Sequence, residues 1–253
     1  IDMPIRNSDR SVGAMLSSHV AKKYGNAGLP EDTIKVNFKG VAGQSFGAFL
    51  AAGITFNLEG EANDYVGKSL SGGKIVVKLS PDCDIQSDRN WIAGNVIGYG
   101  ATGGKILLNG KAGEPFAIRN SGATYVVEGV ADHCCEYMTG GRVVVLGPTG
   151  FNFGAGMTGG FAYIFDEYGN FDMRCNLQSI DLETVVEGSA DEAELKGLIE
   201  EFYAATNSAR AKAILDDWEN SLPKFVKVFP VEYRKALGRM LSVDSHKSSQ
   251  ETA

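Results

Sequence analysis

The stretch "GYGATGGKILLNG", residues 98–110, spells G-x-G-x-x-G at Gly98, Gly100 and Gly103, the spacing that marks a dinucleotide-binding turn. "GAGMTGGFAYI", residues 154–164, repeats it at Gly154, Gly156 and Gly159. A pyrophosphate site needs a strand leading into the glycines and a helix leaving them, because the helix N-terminus supplies the N–H groups that hold the anion. Here the glycines run instead into "KILLNG" and "FAYIFD", short strand-like runs with no helical periodicity. The glycines therefore read as architecture and not as a cofactor cradle.

Working outward, segments of the same kind recur: "GITFNLEG", "GGKIVVKL", "GGKILLNG", "GATYVVEG", "GGRVVVLG" and "GGFAYIFD". Each opens with Gly and continues into residues rich in Val, Ile and aromatics, which is strand composition. The strand-opening residues Gly53, Gly73, Gly104, Gly122, Gly141 and Gly160 are separated by 20, 31, 18, 19 and 19 residues. The long interval holds "PDCDIQSDRNWIAGN", read as an inserted loop with room for a further coil near "NVIGY". A longer echo aligns Phe46, Gly53, Glu59 and Gly60 with Phe116, Gly122, Glu128 and Gly129.

A period near 20 without intervening helices is the signature of a β-solenoid whose coils stack strand on strand in parallel. Of the 32 glycines, 26 lie between Gly40 and Gly169, so this composition belongs to one unit. Glycine suits its corners, where φ is often positive and backbones approach too closely for a Cβ. The expected architecture is mainly β, a single parallel β-helix of about seven coils with flanking N- and C-terminal helices. Those helices are expected to cover the open ends.

Outside the solenoid, "SDRSVGAMLSSHVAKKY" spaces Val12, Leu16, Val20 and Tyr24 as a helix that Gly25 stops. Ser189 and Glu192 form a capping box ahead of Leu195, Leu198, Ile199 and Phe202. That helix is expected to continue near Trp218 and end before Pro223. "KFVKVFP" reads as extended and "VEYRKALGRML" as a last short helix. The organisation is thus residues 1–31 a helical arm, 32–186 the β-helix, 187–241 a helical extension and 242–253 a disordered tail.

The totals exclude several classes. A net charge of −7 argues against a phosphate-tracking nucleic-acid binder. No run of about 18 apolar residues is present to span a membrane. The N-terminal "IDMPIRNSDR" lacks the apolar stretch of a signal peptide, and starting without Met it suggests a processed chain or fragment. Four irregularly spaced cysteines, Cys83, Cys134, Cys135 and Cys175, make no disulfide framework, which suits a reducing cytoplasm.

The densest set of candidate ligands is "DHCCE", Asp132 to Glu136. Adjacent residues on a strand face opposite ways, so Cys134 and Cys135 are not expected to share a metal. His133 beside Cys134 does not make a nucleophilic pair, and His19 and His246 lie in a helix and the tail. Glu59, Glu61, Asp64, Glu128 and Asp132 recur along the coils and read as hydrogen-bonding corner amides. The arginines of "RNSDR" and of "RNSG", Arg119 among them, read as solvated. No catalytic, cofactor or metal residue is assigned. The residues expected to matter are the structural glycines Gly98, Gly100, Gly103, Gly141, Gly154, Gly156 and Gly159.

"DRSVG" (9–13), "GQSFGAF" (43–49), "LEGEANDYVGKSLSGGKI" (58–75), "VEGVADHCCEYMTGGRVVVLG" (127–147) and "NFGAGMTGGFAYI" (152–164) together resemble the C-terminal GXGXG domain of the glutamate synthase large subunit. The resemblance runs from about Arg6 to Val185 and implies a right-handed β-helix. It further implies a non-catalytic scaffold within an oxidoreductase that converts glutamine and 2-oxoglutarate into two glutamates. The partners would be an amidotransferase domain and a synthase domain carrying FMN and an iron–sulfur cluster, with no cofactor in this chain and self-association left open. Two alternatives stand beside it: the structural C-type subunit of a formylmethanofuran dehydrogenase, which the Gly repeat also resembles, and a stand-alone β-helix enzyme acting on carbohydrate.

Overall fold

The computed structural model describes residues 1–236; His246 and the tail 242–253 lie outside them. The chain opens with strand β1 (Asp2–Ile5) and helix α1 (Ala14–Tyr24). The coil strands follow: β2 (Ile34–Ala42), β3 (Ile54–Ala62), β4 (Ser71–Lys78), β5 (Trp91–Ala93), β6 (Gly103–Ala112), β7 (Ser121–Val130), β8 (Thr139–Val145) and β9 (Gly159–Phe165). Then come β10 (Ile180–Thr184), α2 (Ala190–Thr206), α3 (Ala209–Asp216), α4 (Trp218–Ser221) and β11 (Phe225–Pro230). Residues 231–236 are helical.

The strands stack in the order β1-β2-β3-β4-β6-β7-β8-β9-β11-β10, parallel through β9, in a solenoid of about seven turns. Stacking in register converts a sequence period into columns of side chains. Val36, Phe56, Ile75, Ile106, Tyr125, Val143 and Ala162 form one inward column. Phe38, Leu58, Val77, Leu108, Val127, Val145 and Ile164 form the next. Both columns are buried, and they fill the coil interior with the Phe38–Phe46–Phe56 edge-to-face cluster at one end.

The 31-residue interval is one coil and not two. Strand β5 pairs with β3 and β6, completing the coil that β4 began, and residues 79–90 are an insertion between its halves.

The ends close differently from one another. α1 starts at Ala14, later than its spacing from Val12 suggests; it packs Leu16 and Val20 onto the first coils, with Val12 ahead of it, and its buried Ser17 Oγ accepts a hydrogen bond from Ala51 N. Gly25 ends it at φ 62°. The far end is closed by strands, where a helix was expected: β11 pairs antiparallel with β9 and then with β10. The extended reading of "KFVKVFP" is thus a sheet edge cover.

Helix α2 lies instead on the flank. The outward column of the sheet changes from Asn37 and Asn57 to Val76, Leu107, Val126, Val144 and Tyr163, and the apolar part packs against Leu195, Ile199 and Phe202. A basic column beside it, Lys74, Lys105 and Arg142, meets acids spaced i, i+7 on α2. Glu201 bridges Lys74 and Lys105 at 2.8 and 2.6 Å, and Glu194 binds Arg142 at 2.8 Å. Ser189 caps α2 by accepting from Glu192 N at 3.1 Å, but Glu192 returns its carboxylate to Gly188 N. The helix does not continue to Trp218. Asn207 turns left-handed at φ 57° and Ser208 caps α3, accepting from Ala211 N at 3.0 Å.

Candidate functional site

The glycine fingerprints sit in the turns that link one coil strand to the next, and these turns share an unusual backbone. Every second residue has positive φ: Ser45, Gly47 and Phe49; Tyr65, Gly67 and Ser69; Val96, Gly98 and Gly100; His133, Cys135 and Tyr137; Asn152, Gly154 and Gly156. The turn at Ala117 and Arg119 follows the same pattern but begins at Pro115, whose ring forbids positive φ. The middle position points into the core. A methyl on Gly98 would stand 2.2 Å from Cε1 of Tyr125, whose hydroxyl donates to Gly98 O at 2.9 Å. The inward column shrinks, from Tyr125 through Val143 to Ala162, as the middle turn residue grows from Gly98 through Ala117 to Cys135.

The other predicted glycines separate into kinds. Gly100 and Gly156 hold positive φ at the outer turn position, with only Ser69 Oγ at 3.9 Å near Gly100 and the Tyr137 ring over Gly156. A Cβ on Gly154 would stand 3.0 Å from the Ile180 side chain. Gly141, at φ 88°, faces Ala123 O and the side chain of Asn120. Gly103 and Gly159 open β6 and β9 without positive φ. A Cβ on Gly159 would strike Thr139 O at 2.2 Å, whereas one on Gly103 meets nothing closer than 3.9 Å. Both fingerprints lead into strands, and the space a phosphate would need at Gly98 is filled by Tyr125.

The strand-alternation reading of the cysteines does not hold. Positive φ at Cys135 breaks the alternation, and the Cys134 and Cys135 thiols lie 3.6 Å apart, both fully buried. Burial pushes the Cys134 thiol well up, away from a reactive thiolate. Cys175 is pushed up to about 11, chiefly by burial. Cys83 lies in the insertion, so the four cysteines do not converge as a cluster-binding set. His19 bonds its own helix through Met15 O.

The acidic residues divide. Asp64 Oδ1 accepts from Asn95 N at 2.8 Å and Asp132 Oδ1 from Phe151 N at 2.7 Å, each tying a corner to the next coil. Glu59 pairs with Lys39 and Ser80. Glu128 is different: it is fully buried where the α2–α3 junction meets the sheet. Its Oε1 accepts from Asn109 Nδ2 at 2.8 Å and from Ser208 Oγ, while Oε2 has no partner among the described residues. Asn120 is likewise buried but satisfied, bracketing Ala123 through both side-chain atoms. Neither role was visible from sequence.

Burial holds the Glu128 carboxyl above the usual carboxylate range, with Asp88 adding to the rise against Ser208, Ser87 and Asn109. A carboxyl raised in the folded state contributes stability below its ordinary pKa and loses it as pH rises through the raised value. Each unit of elevation corresponds to about 1.4 kcal/mol. The stability of Glu128→Gln relative to the parent is therefore expected to improve from acid to neutral pH. Denaturant melts of both proteins over that range check this, and a constant difference refutes it.

The GXGXG motif family model matches residues 1–231. This chain belongs to the GXGXG family. It is similar to the glutamate synthase [NADPH] large chain of Bacillus subtilis, 51% identical over 250 residues, or 98% of this chain and 16% of that protein. It is equally similar to the glutamate synthase [NADH] of Schizosaccharomyces pombe, 51% identical over 94% of this chain and 11% of that protein. It is 52% identical over 88% of its length to the ferredoxin-dependent glutamate synthase 2 of Synechocystis, covering 14% of it. The chain thus spans 11 to 16% of the length of these relatives. Among the described residues no helix is long and apolar enough to cross a membrane.

Proposed function

We propose that this chain is the β-helix scaffold domain of a glutamate synthase, non-catalytic itself, which positions an amidotransferase domain and an FMN and iron–sulfur synthase domain. The assembly would convert glutamine and 2-oxoglutarate into two glutamates in the cytoplasm. The observation that carries this reading is the indifference of similarity to electron donor: relatives named for NADPH, NADH and ferredoxin match it at 51, 51 and 52% identity. A domain that received electrons would differ where the donors differ, whereas one that holds common parts together would not.

The surface supports it. α2 covers one flank, but the turn face carries Phe49, Tyr65 and Tyr137 at 53, 36 and 57% exposure, with Tyr99 and Ile118 half-buried between them. Exposed aromatics carried by several turns of one face suit an interface with another domain of the same polypeptide.

The test is a tagged pull-down of this chain from its native extract, with mass spectrometry and an absorption spectrum of the eluate. Flavin and iron–sulfur absorption from a stoichiometric partner or from the same polypeptide is expected. A colourless chain without partners, or turnover of a carbohydrate by the chain alone, overturns the reading; a co-purifying metal–pterin points to the formylmethanofuran alternative.

A further inference from the structure

The turn after β6 and the turn after β7 bring together three ligating groups of two chemical kinds. A carboxylate oxygen of Glu114, one of Asp132 and a ring nitrogen of His133 lie within 4.8 Å of one another. The residues come from successive coils, since Ala112 and Val130 are in register just before them. The cluster's surroundings add a fixed carboxylate support and an uncompensated negative charge. His133 Nδ1 lies 2.8 Å from Glu136 Oε1, which also accepts from Asn152 Nδ2 at 2.9 Å. The Glu136 side chain is only 14% exposed, so it is a fixed support that leaves Nε2 as the free nitrogen. Lys74, Lys105, Arg142 and Arg210 all meet acids elsewhere, yet among the described residues no Lys or Arg pairs with Glu114, Asp132 or Glu136. Three carboxylates surround one imidazole without a cationic side chain.

We propose that Glu114, Asp132 and His133 form a surface site for a divalent transition-metal cation such as Zn²⁺ or Mn²⁺, with solvent completing the coordination. One imidazole and two carboxylates suit such borderline cations. A carboxylate on the far nitrogen of a ligating histidine is the usual outer support, fixing its tautomer and orientation. Asp132 Oδ1 is engaged by Phe151 N, so Oδ2 is the oxygen available. Bound there, the cation ties one coil to the next beside the aromatic turn face. The sequence hides this site because "DHCCE" draws attention to its cysteines, while the third ligand comes from the preceding coil.

The test is equilibrium dialysis of chelator-stripped chain against Zn²⁺ and then Mn²⁺. One equivalent per chain is expected, weakened roughly tenfold or more by Glu114→Gln and by His133→Ala, and roughly ten- to hundredfold by Glu136→Gln. His19→Ala, on the exposed face of α1, should bind as the parent does. Glu114 is exposed, so circular dichroism of Glu114→Gln keeps the result interpretable even if His133→Ala misfolds. Absence of a stoichiometric equivalent, or binding unchanged in Glu114→Gln, overturns the proposal. So does a thiolate charge-transfer band on Co²⁺ substitution, which would move the ion to Cys134 and Cys135.

Discussion

Gly98→Ala is expected to destabilise the chain by about 2–5 kcal/mol, whereas Gly100→Ala, two residues on, should cost only about 1–2 kcal/mol. Both positions have positive φ, at 68° and 65°. They differ in what a Cβ meets: Tyr125 Cε1 at 2.2 Å for Gly98 against Ser69 Oγ at 3.9 Å for Gly100. Position 100 is the outer turn site, which Phe49, Ser69, Arg119 and Tyr137 occupy at positive φ in neighbouring coils. At position 98 the new methyl must displace a fully buried tyrosine and its hydrogen bond to Gly98 O. The neighbouring coils point to the rescue, because Ala117 takes the Gly98 position one coil on, where the inward column carries Val143. Tyr125→Val should therefore recover part of the loss, with a coupling of about 1–3 kcal/mol in a double-mutant cycle by denaturant melts. Additive losses would mean that the turn strain, and not the ring, sets the cost.

Phe202→Ala should cost about 3–5 kcal/mol, the range for emptying a fully buried phenylalanine site. Phe202 is completely buried on α2 among residues such as Val126, Val144 and Tyr163, and forms part of the apolar layer between helix and sheet. The ion pairs beside this layer are partly exposed, so they orient α2 more than they hold it. Thermal melts followed by circular dichroism should show helix signal lost at lower temperature than in the parent. A change within about 0.5 kcal/mol would place the adhesion of the extension in the ion pairs.

What the chain reveals before folding follows from what is local. The coil strands are legible because Gly followed by β-branched residues recurs at a near-constant interval, and register then makes each interval a column. The α2 start is legible because Ser189 caps it from its own sequence. β1 and β10, "DMPI" and "IDLET", are short and lack the Gly-led β-branched pattern, and their strand state comes from pairing with β2 and β11. The break at Asn207 and Ser208 carried a signal, an Asn tolerant of left-handed backbone followed by a capping Ser, that helix periodicity obscured.

The candidate sites were harder to read for a related reason. Cys134 and Cys135 meet because positive φ at Cys135 overrides strand alternation. Glu128 is buried by Ser208, 80 residues away, and Glu114 joins His133 only through coil stacking. The last two contacts have no local cause, and the first depends on a turn backbone that strand alternation does not anticipate.

The scaffold role proposed for this domain, holding two active sites in place without contributing to either, is tested most directly in the intact enzyme by placing charges on the turn face. Tyr99→Glu and Ile118→Glu would be introduced together, and three rates measured: glutamine hydrolysis, glutamate formation from added ammonia, and glutamate formation from glutamine. The account predicts that the first two survive while the third falls. Unchanged glutamate formation from glutamine in a folded variant, or loss of either half-reaction, would contradict it.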